Sequence, residues 1–429
     1  MPVVLEERIL SAAEARCPCC GEPLALAGFE EDSEIIEIGV KAFRRQIRRR
    51  RYRRRCSCED PPLIIPAPAV PRVLPRSRFG VSVWVHVLLD KYQYARPTNK
   101  LLDDLRSHGL DLSAGTLTDD LKRLACLFEP LQQKLIEHNR AQALWNADET
   151  RWTVLQMLSG KVNGRHYIWL FESKDCAVFV LDRGRGHDVP ESHFGEKTYG
   201  IVVVDRYSAY KAMKHVKQGR LRLAFCWAHQ RRDFLDVEKS WPKLAEWAAG
   251  WVTRIGELYK HNDERLAAKR KSREWLRKDK ELRKAVEQMH QGMEEELAEE
   301  KLHPAKRKVL HSLKEHWQGL TIFVDEPSVP MDNNQAERTL RIAALCRKNY
   351  YGSGAQWSGE LATRLFGILA TLKKWKINAR KWLTAYLQAC AEAGGKAPED
   401  VAGWLPWKLT GEQKKAMAQE EEEESREKG

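Results

Sequence analysis

The chain has 429 residues, 43% of them hydrophobic, enough to bury a core and to build about two to four domains. Lys and Arg total 73 against 60 Asp and Glu, a formal charge of +13, which favours a polyanionic partner over small acidic substrates. No apolar run reaches the roughly 18 residues of a membrane span, and the first residues, MPVVLEERILSAAEARC, carry acids where a secretion signal carries a basic head. The expectation is a soluble intracellular protein, a multidomain α/β chain with no membrane partner.

The cysteines come first in chain order. Five of the ten lie within the first 58 residues, too few overall for a disulfide scaffold but clustered as metal ligands are. Cys17 and Cys20 sit in CPCCGEPL, and Cys56 and Cys58 sit in CSC. Four thiolates on two short knuckles suit tetrahedral Zn²⁺, and a module of about 50 residues with so few large apolar side chains needs such a staple. Cys19 is a spare thiol, so which of Cys19 and Cys20 ligates stays open.

Between the knuckles runs RRQIRRRRYRRR, with nine arginines in twelve positions: Arg44, Arg45, Arg48, Arg49, Arg50, Arg51, Arg53, Arg54 and Arg55. So many guanidinium groups cannot be buried unpaired. Their expected role is contact with nucleic-acid phosphates, which supplies affinity and salt dependence rather than sequence choice. Residues 1–60 therefore read as a zinc-binding basic module. Residues 61–78, with six prolines, read as a stiff linker.

Residues 79–142 read as helical. Val81, Val85, Leu88, Leu89 and Tyr92 recur at helical spacing. A second helix runs from about Thr98 to a stop at Gly109, and Ser113 caps a third with Leu117, Leu121 and Leu124 inward. The pair resembles a helix-turn-helix, a DNA-binding motif as well as a common packing unit.

From residue 143 the pattern turns to strands. ALWNAD, RWTVLQML, HYIWLFES, CAVFVLD, YGIVVVD and LRLAFCWAH predict a mixed sheet of about five strands, with a helical or irregular stretch around 187–196. Residues 143–239 are the first part of an α/β core. Residues 240–325 are helical again, striped by Leu244, Trp247, Trp251, Ile255 and Leu258. Residues 326–390 return as helices, and 391–429 close the chain in a polar, acid-rich tail from EQKKAM onward.

Three carboxylates carry the chemistry. Asp148 in WNADETRW is read at the end of the first core strand, and Asp205 in GIVVVDRYSAY at the end of a buried one. Glu337 in VPMDNNQAERTLR lies in the first turns of a helix. Hard oxygen ligands on three separate elements suit two Mg²⁺ (or Mn²⁺) ions with room left for water and phosphate. Asp332 is read as the cap of that helix, in capping-box-like spacing with Gln335. Cys226 and His229 in CWAH are too few for a metal; Cys226 reads as buried and His229 as facing the cleft. Trp145, Trp152 and Trp227 flank these motifs as core residues or as platforms for an unpaired base.

WNADETRWTV, VVVDRYSAY, FCWAHQRRDF, MDNNQAERTLR and RKNYYGSGA together resemble the transposases of the insertion sequence 66 family, over roughly residues 15 to 390. The resemblance implies a DDE-type enzyme with an RNase H-like core, the catalytic triad Asp148, Asp205 and Glu337, and an inserted domain between the last two. It implies Mg²⁺-dependent phosphodiester cleavage and strand transfer. Its implied partners are double-stranded DNA (transposon ends and target) and further copies of the chain on DNA, with accessory proteins of the element left open. Its implied location is the bacterial cytoplasm, on the nucleoid. Arg231, Arg232, Arg338, Arg341, Arg347 and Lys348 flank the motifs as phosphate contacts. The rivals are a non-catalytic or domesticated DNA-binding regulator on the same scaffold and an RNA-binding or RNA-cutting enzyme on the same core.

Overall fold

A computed structural model describes residues 22–23, 41–53, 64–155, 164–196 and 198–418. The chain divides into two units, 1–44 and 45–429, and the sheets and helices belong to the second. Cys17, Cys19, Cys20, Cys56, Cys58, Arg54 and Arg55 lie outside the described residues.

In the basic segment, β1 (Arg51–Arg53) pairs antiparallel with β2 (Ile64–Pro66). The proline-rich stretch is thus not a free linker. Its first part completes a hairpin, and Val73 and Leu74 are buried in the main core. Prolines there fit an extended edge strand, which needs few amide donors.

Three helices come next: α1 (Val81–Tyr92), α2 (Thr98–Ser107) and α3 (Ala114–Arg140). Gly109 turns the chain at φ +84°, and the Ser113 hydroxyl accepts from the Thr116 amide. Leu117, Leu121 and Leu124 point inward as expected. These helices do not have a core of their own, because their apolar faces join one cluster with the sheet and the C-terminal helices. The boundary drawn at residue 142 separates helix from strand, not two hydrophobic cores.

The sheet comprises β3 (Leu144–Val154), β4 (Gly164–Glu172), β5 (Ala177–Asp182), and then, after α4 (Asp188–Phe194), β6 (Gly200–Val204). Two short helices, α5 (Ser208–Ala212) and α6 (Lys214–Lys217), lead to β7 (Leu221–Phe225). The spatial order is β5-β4-β3-β6-β7. β3, β4 and β5 form an antiparallel meander, whereas β6 and β7 run parallel to β3. The two runs expected as separate strands around Asp148 are one strand of 11 residues, so Asp148 lies mid-strand rather than at an end. The β3–β6 ladder, however, stops at Asn146↔Val203. Continuing that register by two residues brings Asp148 level with Asp205.

After β7 come α7 (Trp227–Ser240), α8 (Ala245–Ala267), α9 (Arg273–Leu297), α10 (Pro304–Leu320) and the short α11 (Ile322–Asp325). α7–α10 bury Trp251, Ile255, Leu258, Met289, Met293 and Leu313 against Ile201, Val203 and Ala224. The charged insertion is therefore a helical layer over the β6–β7 half of the sheet.

The chain returns as α12 (Asn334–Tyr350), α13 (Gln356–Lys374) and α14 (Ala379–Glu392). α12 and α13 share with α3 the same face over β3–β5. α4–α6 cover the opposite face through Val189, Phe194, Tyr210 and Met213. After α12, Ser353 pairs with Val154 in a parallel bridge. Gly352, at φ +142°, makes this possible, because a Cβ there would collide with the Thr153 carbonyl. Against expectation, EQKKAM is not a loose tail. It is α15 (Gly411–Ala416), closed by a Thr410–Gln413 capping box, and Asn378 donates its amide to Met417 O at 2.7 Å. No helix among the described residues is long and apolar enough to cross a membrane.

Candidate active site

Strand order reverses between β3 and β6, and in open α/β sheets the cleft at such a switch point gathers ligands. Asp148 and Asp205 stand there. Each holds one carboxylate oxygen on a local backbone amide, Asp148 Oδ1 on Glu149 N at 2.8 Å and Asp205 Oδ1 on Tyr207 N at 2.9 Å. Their Oδ2 atoms are left free of hydrogen bonds among the described residues. The turn after Asp205 is held by Arg206, which donates to Gln230, to Asp233 at 2.5 Å and to Ser312, tying the strand end to α7 and the α10 layer.

Glu337 reaches the same place from the first turn of α12. Successive even residues of β3 meet this helix down its length. Asn146 donates to Asn333 at 2.9 Å, Thr150 accepts from Arg347 at 3.1 Å, and the Trp152 indole donates to Ser353 at 3.0 Å. Asp148 occupies the step between Asn146 and Thr150, facing the Glu337 turn. Its carboxyl is pushed up to about 7, first by burial, then by the charge of Glu149, with smaller contributions from Asp205 and Glu337. The three acids therefore share one electrostatic site, and no Lys or Arg pairs with any of them among the described residues. A crowd of partly desolvated carboxylates with unused oxygens and, among the described residues, no Lys or Arg partner fits hard divalent cations.

Two neighbours complete the site. His229, in the first turn of α7, places Nε2 at 3.9 Å from Glu337 Oε1, as its cleft-facing reading requires. Cys226 is fully buried at the β7–α7 junction; its Sγ accepts from the Asn333 amide at 3.2 Å, and burial pushes its thiol up. Glu149, which sequence reasoning did not single out, points to the opposite face of β3. There it pairs with Arg185 at 2.7 Å and accepts from Tyr210 at 2.9 Å. The alternation of side chains in a strand separates Glu149 from Asp148, but its partners lie 36 and 61 residues away and left no local signal.

Asp332 does not cap α12 as expected. The cap position is Asn333, and Asp332 Oδ1 accepts from the Asn334 amide one residue upstream of the predicted geometry. No capping box forms, since the Gln335 side chain donates instead to Glu172 at 3.1 Å. Trp145, Trp152 and Trp227 are fully buried, and their indole N–H groups bond to Asn139 O, Ser353 Oγ and Leu320 O. They are core, and the base-stacking alternative is excluded for them.

Among the described residues three groups hold His and acid ligand atoms within 4.8 Å of one another, His86/Asp90/Asp104, His187/Asp188/Glu191 and His261/Glu264/Glu281; Asp148, Asp205 and Glu337 are not gathered that closely. Arg96 bridges Asp90 and Asp104, and Lys278 bridges Glu264 and Glu281, so the first and third already hold a protein cation.

The model of the Transposase IS66 family matches residues 76–361, from before α1 into α13, and so includes all three acids. The chain belongs to that family. Membership makes it a transposase, an enzyme class that cuts and transfers DNA and uses divalent metal. Among relatives from Sinorhizobium fredii (strain NBRC 101917 / NGR234), the uncharacterized protein y4jD is 27% identical over 94% of this chain and 80% of its own length. The uncharacterized proteins y4qI and y4hP are 25% and 24% identical, over 94% and 90% of this chain and 75% and 72% of their own lengths.

The cations expected to flank the site divide into two kinds. Arg231, Arg232, Arg338, Arg341 and Lys348 are exposed and without an acidic partner among the described residues. Arg347 is engaged, donating to Thr150 Oγ1 and, at 2.8 Å, to Arg151 O, so it braces α12 on β3. In the basic segment Arg44, Arg45, Arg48, Arg50, Arg51 and Arg53 are exposed, and Arg49 donates to Ala67 O across the hairpin.

Proposed function

We propose that this chain is an active DDE-type transposase in which Asp148, Asp205 and Glu337 hold two Mg²⁺ (or Mn²⁺) ions for phosphodiester cleavage at transposon ends and strand transfer into target DNA. What supports it is that the β3–β6 register, continued two residues past its last pair, brings Asp148 level with Asp205, and that the charges of Asp205 and Glu337 both act on Asp148. The sheet order supports an RNase H-like core, since a three-strand meander flanked by two parallel strands is what that reading requires.

Asp148 and Asp205 would hold the cations through their carboxylates, whose planes the backbone bonds to Oδ1 fix. Glu337 would close the site from α12, with His229 Nε2 at 3.9 Å from its carboxylate. Bound metal supplies charge to polarise the phosphodiester and to make water or a DNA 3′-OH nucleophilic near neutral pH. Burial and the neighbouring acids raise the Asp148 carboxyl to about 7, so a cation held there would favour its deprotonated form. Arg231, Arg232, Arg338, Arg341 and Lys348 then hold DNA phosphates around the cleft. The basic segment adds non-specific backbone contact, and the clustered cysteines a Zn²⁺ site.

The test is strand cleavage of a duplex carrying the element's ends, with Mg²⁺ and binding checked in parallel. Asp148→Asn, Asp205→Asn and Glu337→Gln should each bind as the parent does and cleave on the order of 10³-fold more slowly or worse. A parent chain that binds ends with Mg²⁺ and never cuts them would point instead to the regulator.

A further inference from the structure

Asn333 is 1% exposed and touches three of the elements that build the site. Its side-chain oxygen accepts from Asn146 Nδ2 at 2.9 Å, and its side-chain nitrogen donates to Ala147 O at 2.8 Å. These are the two residues that precede Asp148. Its backbone amide donates to Cys226 Sγ at the start of the His229 helix, and its backbone carbonyl accepts from the Glu337 amide at 3.2 Å. The neighbouring Trp227 amide donates to Met331 O at 2.9 Å, a second tie between the same two junctions. One residue thus links the Asp148 strand, the His229 helix and the Glu337 turn, although Asn146 and Asn333 are 187 positions apart.

The rest of the α12 seat explains why such a link is needed. The buried face of α12 carries Ala336, Ala343 and Cys346 with Leu340 as its one large aliphatic side chain, and polar contacts put Gln335 and Thr339 both on Glu172 Oε1 at 3.1 Å. Apolar contact is non-directional and lets a helix slide by fractions of an ångström, whereas two opposed amide hydrogen bonds fix both its position along β3 and its rotation.

We infer that Asn333 is the positioning residue that sets the Glu337 carboxylate at its working distance from Asp148 and Asp205, acting through its paired hydrogen bonds to Asn146 and Ala147. This rests on the metal-dependent reading of the three acids. Asn333 touches neither substrate nor metal in that reading; it acts through the acids. A purely structural asparagine would change how much protein folds and leave each folded molecule unaltered.

The experiment titrates the full-length chain with Mn²⁺ alone, read by electron paramagnetic resonance, and measures cleavage of the end duplex alongside. Asn333→Ala should weaken Mn²⁺ binding by about 10–100-fold, the range for a group that orients ligands, and lower kcat with KM for the duplex unchanged. Asn146→Ala, which spares the bond to Ala147, should show a smaller shift in the same direction. The double variant should be no worse than Asn333→Ala, because both remove one coupling. If Asn333→Ala does not fold, Asn146→Ala decides. Either variant, folded and binding Mn²⁺ with parental affinity, overturns the inference. Asp148→Asn is the control. Parental Mn²⁺ binding lost in that control, with no cleavage by the parent, would break the transposase reading and leave Asn333 to be judged on Mn²⁺. A parent that binds no Mn²⁺ at these acids ends both.

Discussion

Two helices lie on the same face of the sheet, and they are seated by different forces. α13 buries Leu361, Leu365, Phe366, Ile368 and Leu372, and its Gly367 lets the backbone approach Ala177 O closely. α12, its neighbour, meets β3 through Asn333, Arg347 and two alanines, with Leu340 its one large buried aliphatic side chain. The helix that carries no chemistry is held by area, and the helix that carries Glu337 is held by directed hydrogen bonds. Area stabilises strongly but tolerates small shifts, while hydrogen bonds add little net stability and fix geometry. The fold thus assigns stability to one helix and precision to the other.

The comparison breaks most visibly when the two helices are cut alike. Phe366 packs on Tyr92, Trp152 and Phe179, and Phe366→Ala should cost about 3–5 kcal/mol of stability in a denaturant titration. The fraction that remains folded should cleave at the parental rate. Glu337→Gln should do the reverse, with a parental midpoint and no cleavage. A large stability loss from Glu337→Gln would remove the division of labour.

The surface of α12 sharpens it next. Arg338→Ala and Arg341→Ala should each flatten the slope of log DNA affinity against log salt by about one, with thermal stability unchanged. Arg347→Ala should lower thermal stability and leave that slope alone, because its guanidinium bonds to Thr150 and Arg151. An equal change in slope from all three would mean that the bracing contact opens to DNA.

A smaller effect comes from Asp148. Its ordinary value of 3.8 applies to the unfolded chain, and burial with neighbouring acids lifts it to about 7 in the fold. The native state then holds more protons between these values, so this group's contribution to stability falls as pH rises from about 4 to 7 and stays low above that. Metal-free Asp148→Asn should therefore melt higher than the parent at pH 8, by at least about 2 °C, and the gap should close towards pH 4. Mg²⁺ should stabilise the parent at pH 8 and not the variant. A melting difference independent of pH would assign the effect to packing alone.

The smallest expected effect is at Asp332. Its Oδ1 accepts from the Asn334 amide, a role asparagine performs equally, so Asp332→Asn should cleave within about twofold of the parent. Loss of cleavage there would move the third acid from Glu337 to Asp332.

Much of this was legible in local pattern. Runs rich in β-branched and aromatic residues between turn residues located the strands, and the Leu117/Leu121/Leu124 stripe located the inward face of α3. Asp148, Asp205 and Glu337 stood out because carboxylates beside apolar runs need a reason. Other features were illegible because their partners are remote. The strand through Asp148 does not end where the polar DET suggested, since β4 continues to pair with it through Val154↔Gly164. EQKKAM looked like tail because its anchor, Asn378, is distant in sequence. The tryptophans looked available for stacking because a flanking position does not reveal which carbonyl takes the indole N–H.

By itself the sequence determined the elements and the chemical types at their ends, because alternation, helical stripe, caps and glycine turns act within a few residues. Tertiary structure decided which acid faces which. A side chain one step along β3 faces the opposite side of the sheet, so Asp148 belongs to the site and Glu149 to Arg185 and Tyr210. Only the parallel register of β3 on β6, and the Asn146–Asn333 bond that spans 187 residues of chain, bring the Asp148 strand beside β6, which leads into Asp205, and beside the start of the Glu337 helix. Those are non-local pairings, fixed by hydrogen bonds between strands and helices that no local stretch of sequence contains.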